Sequence, residues 1–425
     1  MYTIKRLSAL EILDSRGRPT IRTTCVLDGG FAGVASVPSG ASTGRAEALE
    51  LRDGDAKRYR GMGCRKAVEN VRGRLNQAFA GRSFADQSDL DRSLIQEDGT
   101  PNKAGLGANA ILSVSLAFAR AAALQQGVPL YRYFSERLGL TPKTLARPTI
   151  NLFSGGKHAG GQVPIQDVLV VPASATTFDE ALAMTFEVYQ CAAELTAGKY
   201  GARALTADEG GLAPPFPNAV AMLEDAVRSI ERAGFKPGSE VALAVDVAST
   251  HFFENGVYRM GASSLNSAEM VEQLAGWVSQ YPIVSLEDGL AEDDWDSWPT
   301  LRERVGNRTR VVGDDLLCTN PDRIRRAIQA NAADTLLLKV NQIGTVSEAA
   351  EACQLARSAG WQVTVSARSG ETEDNWLADL AVGWLGDQIK VGSITQSERL
   401  SKYNRMLEIE ADTGLPLVDW PRTAA

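Results

Sequence analysis

Histidine is almost missing from this chain: there are two in 425 residues, beside five cysteines. The cysteines, Cys25, Cys64, Cys191, Cys318 and Cys353, are odd in number, widely spaced and form no C-x-x-C pair. That pattern excludes a disulfide scaffold and a thiolate zinc centre, and reads as reduced, mostly buried thiols of a cytoplasmic protein. Positive charge is also scarce, with 44 lysines and arginines against 52 acidic residues, a net charge of −8 and a pI near 5.1. A nucleic-acid surface needs clustered cations to neutralise phosphate, so no nucleic-acid partner is expected. Long apolar runs are absent too. The longest apolar stretch, 108–123, carries Asn109, two serines and Arg120, so it reads as a buried helix and no membrane partner is expected. The opening MYTIKRLSALEILDSRG has no apolar core of the kind a secretion signal needs. What remains, 44% hydrophobic and 23% charged residues, is ordinary for a soluble globular enzyme. The length suits one large barrel plus a second domain of about 100 to 150 residues.

The chain is organised around 334–348, DTLLLKVNQIGTVSE. A short apolar run, 335–338, has the character of a strand buried on both faces, and it ends abruptly in Lys339, Asn341 and Gln342. A lysine at that place must keep its ammonium paired or lose its proton. Other segments end the same way. Apolar runs lead into Asp246, into Glu287 and Asp288, into Asp314 and Asp315, into Ser366 to Ser369, and into Lys390. From Glu287 to Asp314, Asp314 to Lys339 and Lys339 to Ala367 the spacing is about 25 to 28 residues, the period of a parallel βα unit. Functional side chains at successive strand ends describe a (β/α) barrel whose reactive groups collect at one mouth.

Ahead of the barrel, 3–10, 20–27 and 31–37 read as strands, and helices are expected from 46 to about 134. Strands followed by helices make an α+β domain, assigned to 1–136, with the barrel at 137–425. Between them in function lies PSGASTG at 38–44, too small and turn-rich to pack a core, and read as a lid. The second domain opens into SGGKHAGG at 154–161. It lacks the first glycine of a phosphate loop, since position 151 is Asn, and that motif is rejected. His158 in this loop is a candidate ligand or acid–base group, whereas His251 reads as a surface residue. Gln166 and Asp167 end the next segment, and Glu209 lies in an acidic turn.

Asp246, Glu287 and Asp314 at three strand ends would repel one another without a cation. A hard divalent ion answers that, and an all-oxygen set favours Mg²⁺ over Zn²⁺. Lys339 and Lys390 add two ammonium groups, whose pKa values should fall through mutual repulsion and metal proximity, leaving one as a neutral base. Metal, lysine base and an opposing carboxylic acid suit removal of a proton α to a carboxylate.

From LDSRGRPT and VPSGASTG through SGGKHAGG, ADEGG, AVDVAS, SLEDGLAEDDWDSW, GDDL, LLLKVNQIGTVSE, SARSGETED, QIK and SERLSKYN, the chain resembles the enolase family over nearly its whole length. The resemblance implies an α/β fold, with an N-terminal α+β cap and a modified (β/α)8 TIM-type barrel. It implies dehydration of 2-phosphoglycerate with a lysine base and two Mg²⁺ ions. By motif, Asp246, Glu287 and Asp314 would hold the first Mg²⁺, and Ser42 in the lid would reach the second. Lys339 would be the base, Glu209 the acid and Lys390 the partner of the substrate carboxylate. His158 and Gln166 would line the pocket, with Arg368 and Ser369 on the phosphoryl group. A homodimer or homo-octamer is the family's usual assembly.

Departures cluster in the pocket. Ala367 replaces the family's usual histidine, Asp167 a glutamate, Gly289 a proline, and Val391 and Ser393 a threonine and an alanine. The metal, base and acid positions stand, so a retuned site is expected. The substrate would be a phosphorylated or phosphonylated three-carbon acid. The specialised reading is a carboxyphosphonoenolpyruvate synthase of phosphonate antibiotic biosynthesis; the alternatives are an ordinary glycolytic enolase and a non-catalytic binding protein on the same scaffold.

Overall fold

Alternating burial along the first 36 residues builds an antiparallel sheet. The computed structural model describes residues 1–41, 44–201, 205–306 and 308–420. Strands Tyr2–Leu13, Pro19–Leu27 and Ala32–Ser36 form a meander, with the short Ser83–Phe84 strand on the outer side of the first. Along Pro19–Leu27 the side chains of Ile21, Thr23, Cys25 and Leu27 point inward. Helix Ala108–Gln126 lies across that face, and the one buried hydroxyl in the row, Thr23, finds Ser113 at 2.6 Å. This helix is long and apolar enough to cross a membrane, but 83% of its apolar window is buried inside the protein.

Residues 46–64 depart from the helical expectation. They run as turns and irregular backbone with one short 3-10 turn at Tyr59–Gly61, and the first α-helix is Arg65–Asn70. Several of their amides find partners outside the segment: the Leu51 amide donates to Asn109 Oδ1 at 3.0 Å, and the Ala48 amide donates to the Gln342 carbonyl at 2.8 Å. Groups remote in sequence therefore replace part of the i→i−4 ladder that local propensity favours.

The rest of the chain forms a barrel-like sheet. Its strand order runs from Arg147–Pro148 through Gln388–Lys390, Gln362–Ser366, Thr335–Leu338, Arg310–Gly313, Ile283–Glu287, Val241–Asp246 and Asp167–Pro172 to Ile150–Ser154. The first and last of these are one stretch of chain interrupted at Thr149, so the sheet curls round to meet itself. One strand breaks the expected parallel pattern. Asp167–Pro172 is antiparallel to both neighbours, so Asp167 begins a strand and does not end one. That reversal still brings Asp167 to the shared mouth, because the start of an antiparallel strand lies beside the ends of its neighbours.

Register then aligns the chemistry. Ser154 pairs with Asp167, Asp167 with Asp246, Asp246 with Glu287, and Ser366 with Lys390. Strands such as Val241–Asp246 are buried along their whole length, which explains their continuous apolar character. Helices cover the outside, opened by side-chain caps such as Thr177 on the Glu180 amide and Thr345 on the Glu348 amide.

The cap domain depends on one close approach. A Cβ on Gly33 would run into the Ala117 carbonyl and the Ala121 amide of the covering helix. We therefore expect Gly33→Ala to lower stability by about 1–3 kcal/mol through overpacking. A urea midpoint equal to wild type would contradict this packing.

Candidate active site

Each apolar strand ends where its next side chain can leave the core, and those side chains meet at the barrel mouth. Lys390 Nζ stands between two carboxylates, 2.8 Å from Asp246 Oδ2 and 2.7 Å from Glu287 Oε2. Lys339 Nζ lies 2.5 Å from Asp314 Oδ2, and Gln342 Nε2 donates to the other Asp314 oxygen at 2.8 Å. Asp288, whose side chain accepts from the Asp314 and Asp315 amides, fixes the backbone that carries Asp314. Gln166 Nε2 donates to Asp246 at 3.2 Å.

A second cluster faces this one. His158 Nδ1 is 2.9 Å from Asp167 Oδ2, and His158 Nε2 is 3.8 Å from Glu209 Oε1. Asp167 also accepts from Ser154 Oγ at 2.6 Å, and Glu209 accepts from Asn151 Nδ2 at 3.1 Å. Ala41, His158, Gln166, Glu209, Asp246, Lys339, Ala367, Arg368, Ser369 and Lys390 line one small cavity. A roomier cleft of about 680 Å³ opens beside Arg308, Trp361 and Trp420, away from these clusters. Chemistry follows the convergent acids and bases, so the small cavity is the candidate site.

The charge states differ from expectation in one respect. Both lysines have pKa values raised, not lowered. Burial is the largest single influence and works against each ammonium, but Asp314 together with Glu287 outweighs it at Lys339, and Asp246 together with Glu287 at Lys390. Asp246 is correspondingly held down to about 2, burial being overcome by Lys390, whereas burial and then the Asp246 charge push Glu287 well up. His158 is pushed up to about 9, since Asp167 and then Glu209 outweigh the burial that disfavours its charge. Glu209 is lowered, burial being outweighed by His158 first and then by Arg399. The proton of this cluster therefore rests on His158. His251 is half-buried, and burial with Lys157 nearby holds its imidazole down to about 4.

Asp246, Glu287 and Asp314 share the mouth but are drawn to different ammonium groups. Among the described residues, the clusters of three or more metal-ligating side chains whose ligand atoms all lie within 4.8 Å of one another are His158, Asp167, Glu209 and Asp288, Asp314, Asp315. The three strand-end carboxylates are thus brought to one region without being gathered into one shell. The donor set nevertheless fits a hard cation. Glu287 Oε1 and Gln166 Oε1 are buried acceptors with no hydrogen-bond partner among the described residues, and Lys390 Nζ already sits where two carboxylates need positive charge.

Sequence reading missed several members. Glu47 forms an ion pair with Arg368 at 3.0 Å, and Asn341 accepts from the same guanidinium at 2.9 Å. Asn151, Gln342 and Arg16 also hold site residues. Glu47 and Arg16 come from the cap, so no strand-end pattern pointed to them. Ser42 lies outside the described residues. Ala367 presents its methyl to the cavity wall, beside Arg368 and Ser369. Gly289, where the family usually has proline, faces a wall of leucines: a Cβ there would meet Leu301 at 2.9 Å and Leu274 at 3.1 Å.

An α+β cap over a barrel whose mouth carries paired lysines and carboxylates defines a class of barrel enzyme, and family comparison says which. Residues 4–134 match the enolase N-terminal domain, and residues 142–417 match the enolase C-terminal TIM barrel domain. The chain belongs to the enolase family.

The two histidines make the charge state measurable. By NMR, the His158 ring should titrate with a midpoint near 9 in the metal-free protein. Its folded pKa exceeds the ordinary 6.5, so its ion pair stabilises the fold fully below about pH 6.5 and is lost as pH rises through about 9. The stability gap between wild type and His158→Gln should shrink over that window by on the order of 1–3 kcal/mol. A midpoint below 7 would show that the carboxylates do not hold the proton.

Proposed function

We propose that this chain forms an enolpyruvate product from a 2-phosphoglycerate-type acid by α-proton removal and elimination, in a pocket altered for a bulkier phosphorus group. The observation that carries the proposal is the coexistence, in one cavity, of complete acid–base machinery with a methyl group, Ala367, beside Arg368 and Ser369. The division of the chain at 136/137 is part of the same reading, supported by family matches that end at 134 and resume at 142.

Asp246, Glu287 and Asp314 would hold Mg²⁺, whose role when bound is to neutralise these carboxylates and carry the negative charge of the enediolate. Lys390 orients the substrate carboxylate from the opposite side. Lys339, whose proton is held by Asp314, would shed it to solvent, and its neutral amine takes the proton from Cα. The electron pair left at Cα then expels the β-hydroxyl. His158 gives up its proton to Glu209 at 3.8 Å, and Glu209 passes it to that leaving oxygen, so that water departs. Asp167 keeps the imidazole oriented throughout, through its 2.9 Å contact to Nδ1. Loss of an imidazole near the phosphoryl grip removes a cation and a donor, which disfavours a plain phosphate. It also makes room for a carboxylated phosphorus group, as in a carboxyphosphonoenolpyruvate synthase.

The roles of base and acid separate in deuterated water. Lys339→Ala should abolish exchange of the substrate α-proton, because no neighbouring amine is aligned to replace it. Glu209→Gln should slow turnover while exchange persists, since its task follows proton removal. Exchange at the wild-type rate in Lys339→Ala would show that another group is the base.

Phosphorus NMR tests the substrate. With Mg²⁺ the wild type should convert 2-phosphoglycerate about ten- to a hundredfold less well than Ala367→His, the worth of one charge-assisted hydrogen bond. Addition of an activated phosphonoformate donor should yield a new enolpyruvate signal. Ordinary enolase turnover by the wild type would instead establish the glycolytic reading.

A further inference from the structure

The LDSRGRPT stretch has no part in the chemistry above, yet it reaches the active site. Strands Tyr2–Leu13 and Pro19–Leu27 are joined by a tight turn in which Asp14 Oδ1 accepts from the Arg16 and Arg18 amides at 2.8 and 2.9 Å. The turn docks on the barrel loop after strand Gln362–Ser366, where the Ser15 amide donates to the Glu371 carbonyl at 2.7 Å. Arg16 is thereby carried inward. Its side chain is 6% exposed, and its Nη2 bonds Asp14 Oδ2 at 3.3 Å and the Ser39 carbonyl at 2.9 Å. Its Nη1 donates to Ser369 Oγ at 3.0 Å. Ser369 Oγ also accepts from the Ala41 amide at 2.8 Å.

A hydroxyl oxygen has two lone pairs and one hydrogen. Two donors already occupy the lone pairs of Ser369, so its O–H can act only outward, as a donor. Among the described residues no acceptor faces that hydrogen, and Ser369 lines the cavity. A guanidinium on the oxygen polarises the O–H bond and strengthens whatever bond it makes to an anion. The backbone around the contact is made for this arrangement. Ser39 and Gly370 exchange two amide bonds, at 2.8 and 2.9 Å, and a Cβ on Gly370 would run into Arg16 Nη2 and Asp14 Oδ2.

We infer that Arg16 is a positioning residue that fixes Ser369 as a one-way hydrogen-bond donor to an anionic oxygen of the bound phosphorus group, through the Asp14–Arg16–Ser369 chain from the cap. This rests on the proposed function only in taking the cavity to bind a phosphorus oxyanion. Arg16 itself touches no substrate. Its effect passes through one hydroxyl, and that gives it a signature which a merely structural arginine lacks.

Inorganic phosphate is the probe, because it asks only for the anion site and not for the altered substrate. Its binding to the full chain in Mg²⁺ is measured by calorimetry for wild type, Arg16→Lys, Ser369→Ala and the double variant. Each single change should weaken phosphate about tenfold, and the double variant should bind no more weakly than Ser369→Ala alone. Where Arg16→Lys does not fold, Asp14→Asn, which loosens the guanidinium and keeps its charge, should give a smaller loss, again silenced by Ser369→Ala. Losses that multiply in the double variant would overturn the inference, since Arg16 would then act independently of Ser369. Failure of the wild type to bind phosphate would overturn it together with the anionic pocket. Coupled losses in phosphate binding without turnover of either substrate would sink the proposed reaction and leave the positioning role standing.

Discussion

Everything at the barrel mouth depends on how buried carboxylates are balanced by buried ammonium groups. Lys390 between Asp246 and Glu287, and Lys339 against Asp314, are the pairs that allow five ionisable side chains to share one water-poor region. Removing one member of such a pair leaves an uncompensated charge and costs about 3–5 kcal/mol, far more than an exposed ion pair contributes. The arrangement is therefore poor evidence for a stability device and good evidence for a functional one. A fold seeking only stability would fill the mouth with apolar side chains. This one keeps Glu287 Oε1 buried and, among the described residues, without a hydrogen-bond partner.

The facing cluster obeys the same constraint with one proton. His158 lies between Asp167 and Glu209, and the two carboxylates hold its imidazole charged. In the proposed reaction base and acid are poised in opposite senses: Lys339 carries a proton it must shed, and His158 carries one it can pass on. Separation of the two clusters across the cavity would give the proposed elimination its two ends. The methyl of Ala367 lies beside the remaining wall, where Arg368 is held by Glu47 from the cap and Asn341 from the barrel.

The cap is more than a cover. Through Arg16, Ser39, Ala41 and Glu47 it supplies hydrogen bonds that set the geometry of Arg368 and Ser369. Those barrel residues come from a loop, and loops gain precision only from what they are tied to. Tying this loop to an antiparallel sheet on one side and to strand Gln362–Ser366 on the other gives it two rigid supports.

Much of this was legible in the sequence, for physical reasons that can be named. Strands buried on both faces must be apolar throughout, so their ends are marked wherever a charged residue follows. Asp246, Glu287, Lys339 and Lys390 were visible in that way, and so was the buried helix Ala108–Gln126. The thiols too were readable: Cys25, Cys64, Cys318 and Cys353 are buried and Cys191 partly so, all of them free. Tertiary structure alone decided strand direction, since an apolar run looks the same read either way; the antiparallel Asp167–Pro172 strand follows from packing. It also decided that 46–64 is not α-helical, because amide partners such as Asn109 and Gln342 are supplied by the folded neighbourhood. Protonation belonged to the structure as well. A pKa is set by which charges lie within a few ångströms, and lysines expected to be depressed by each other are raised by nearer carboxylates. The hold of Arg16 on Ser369 joins residues 353 positions apart, a distance that no local pattern spans.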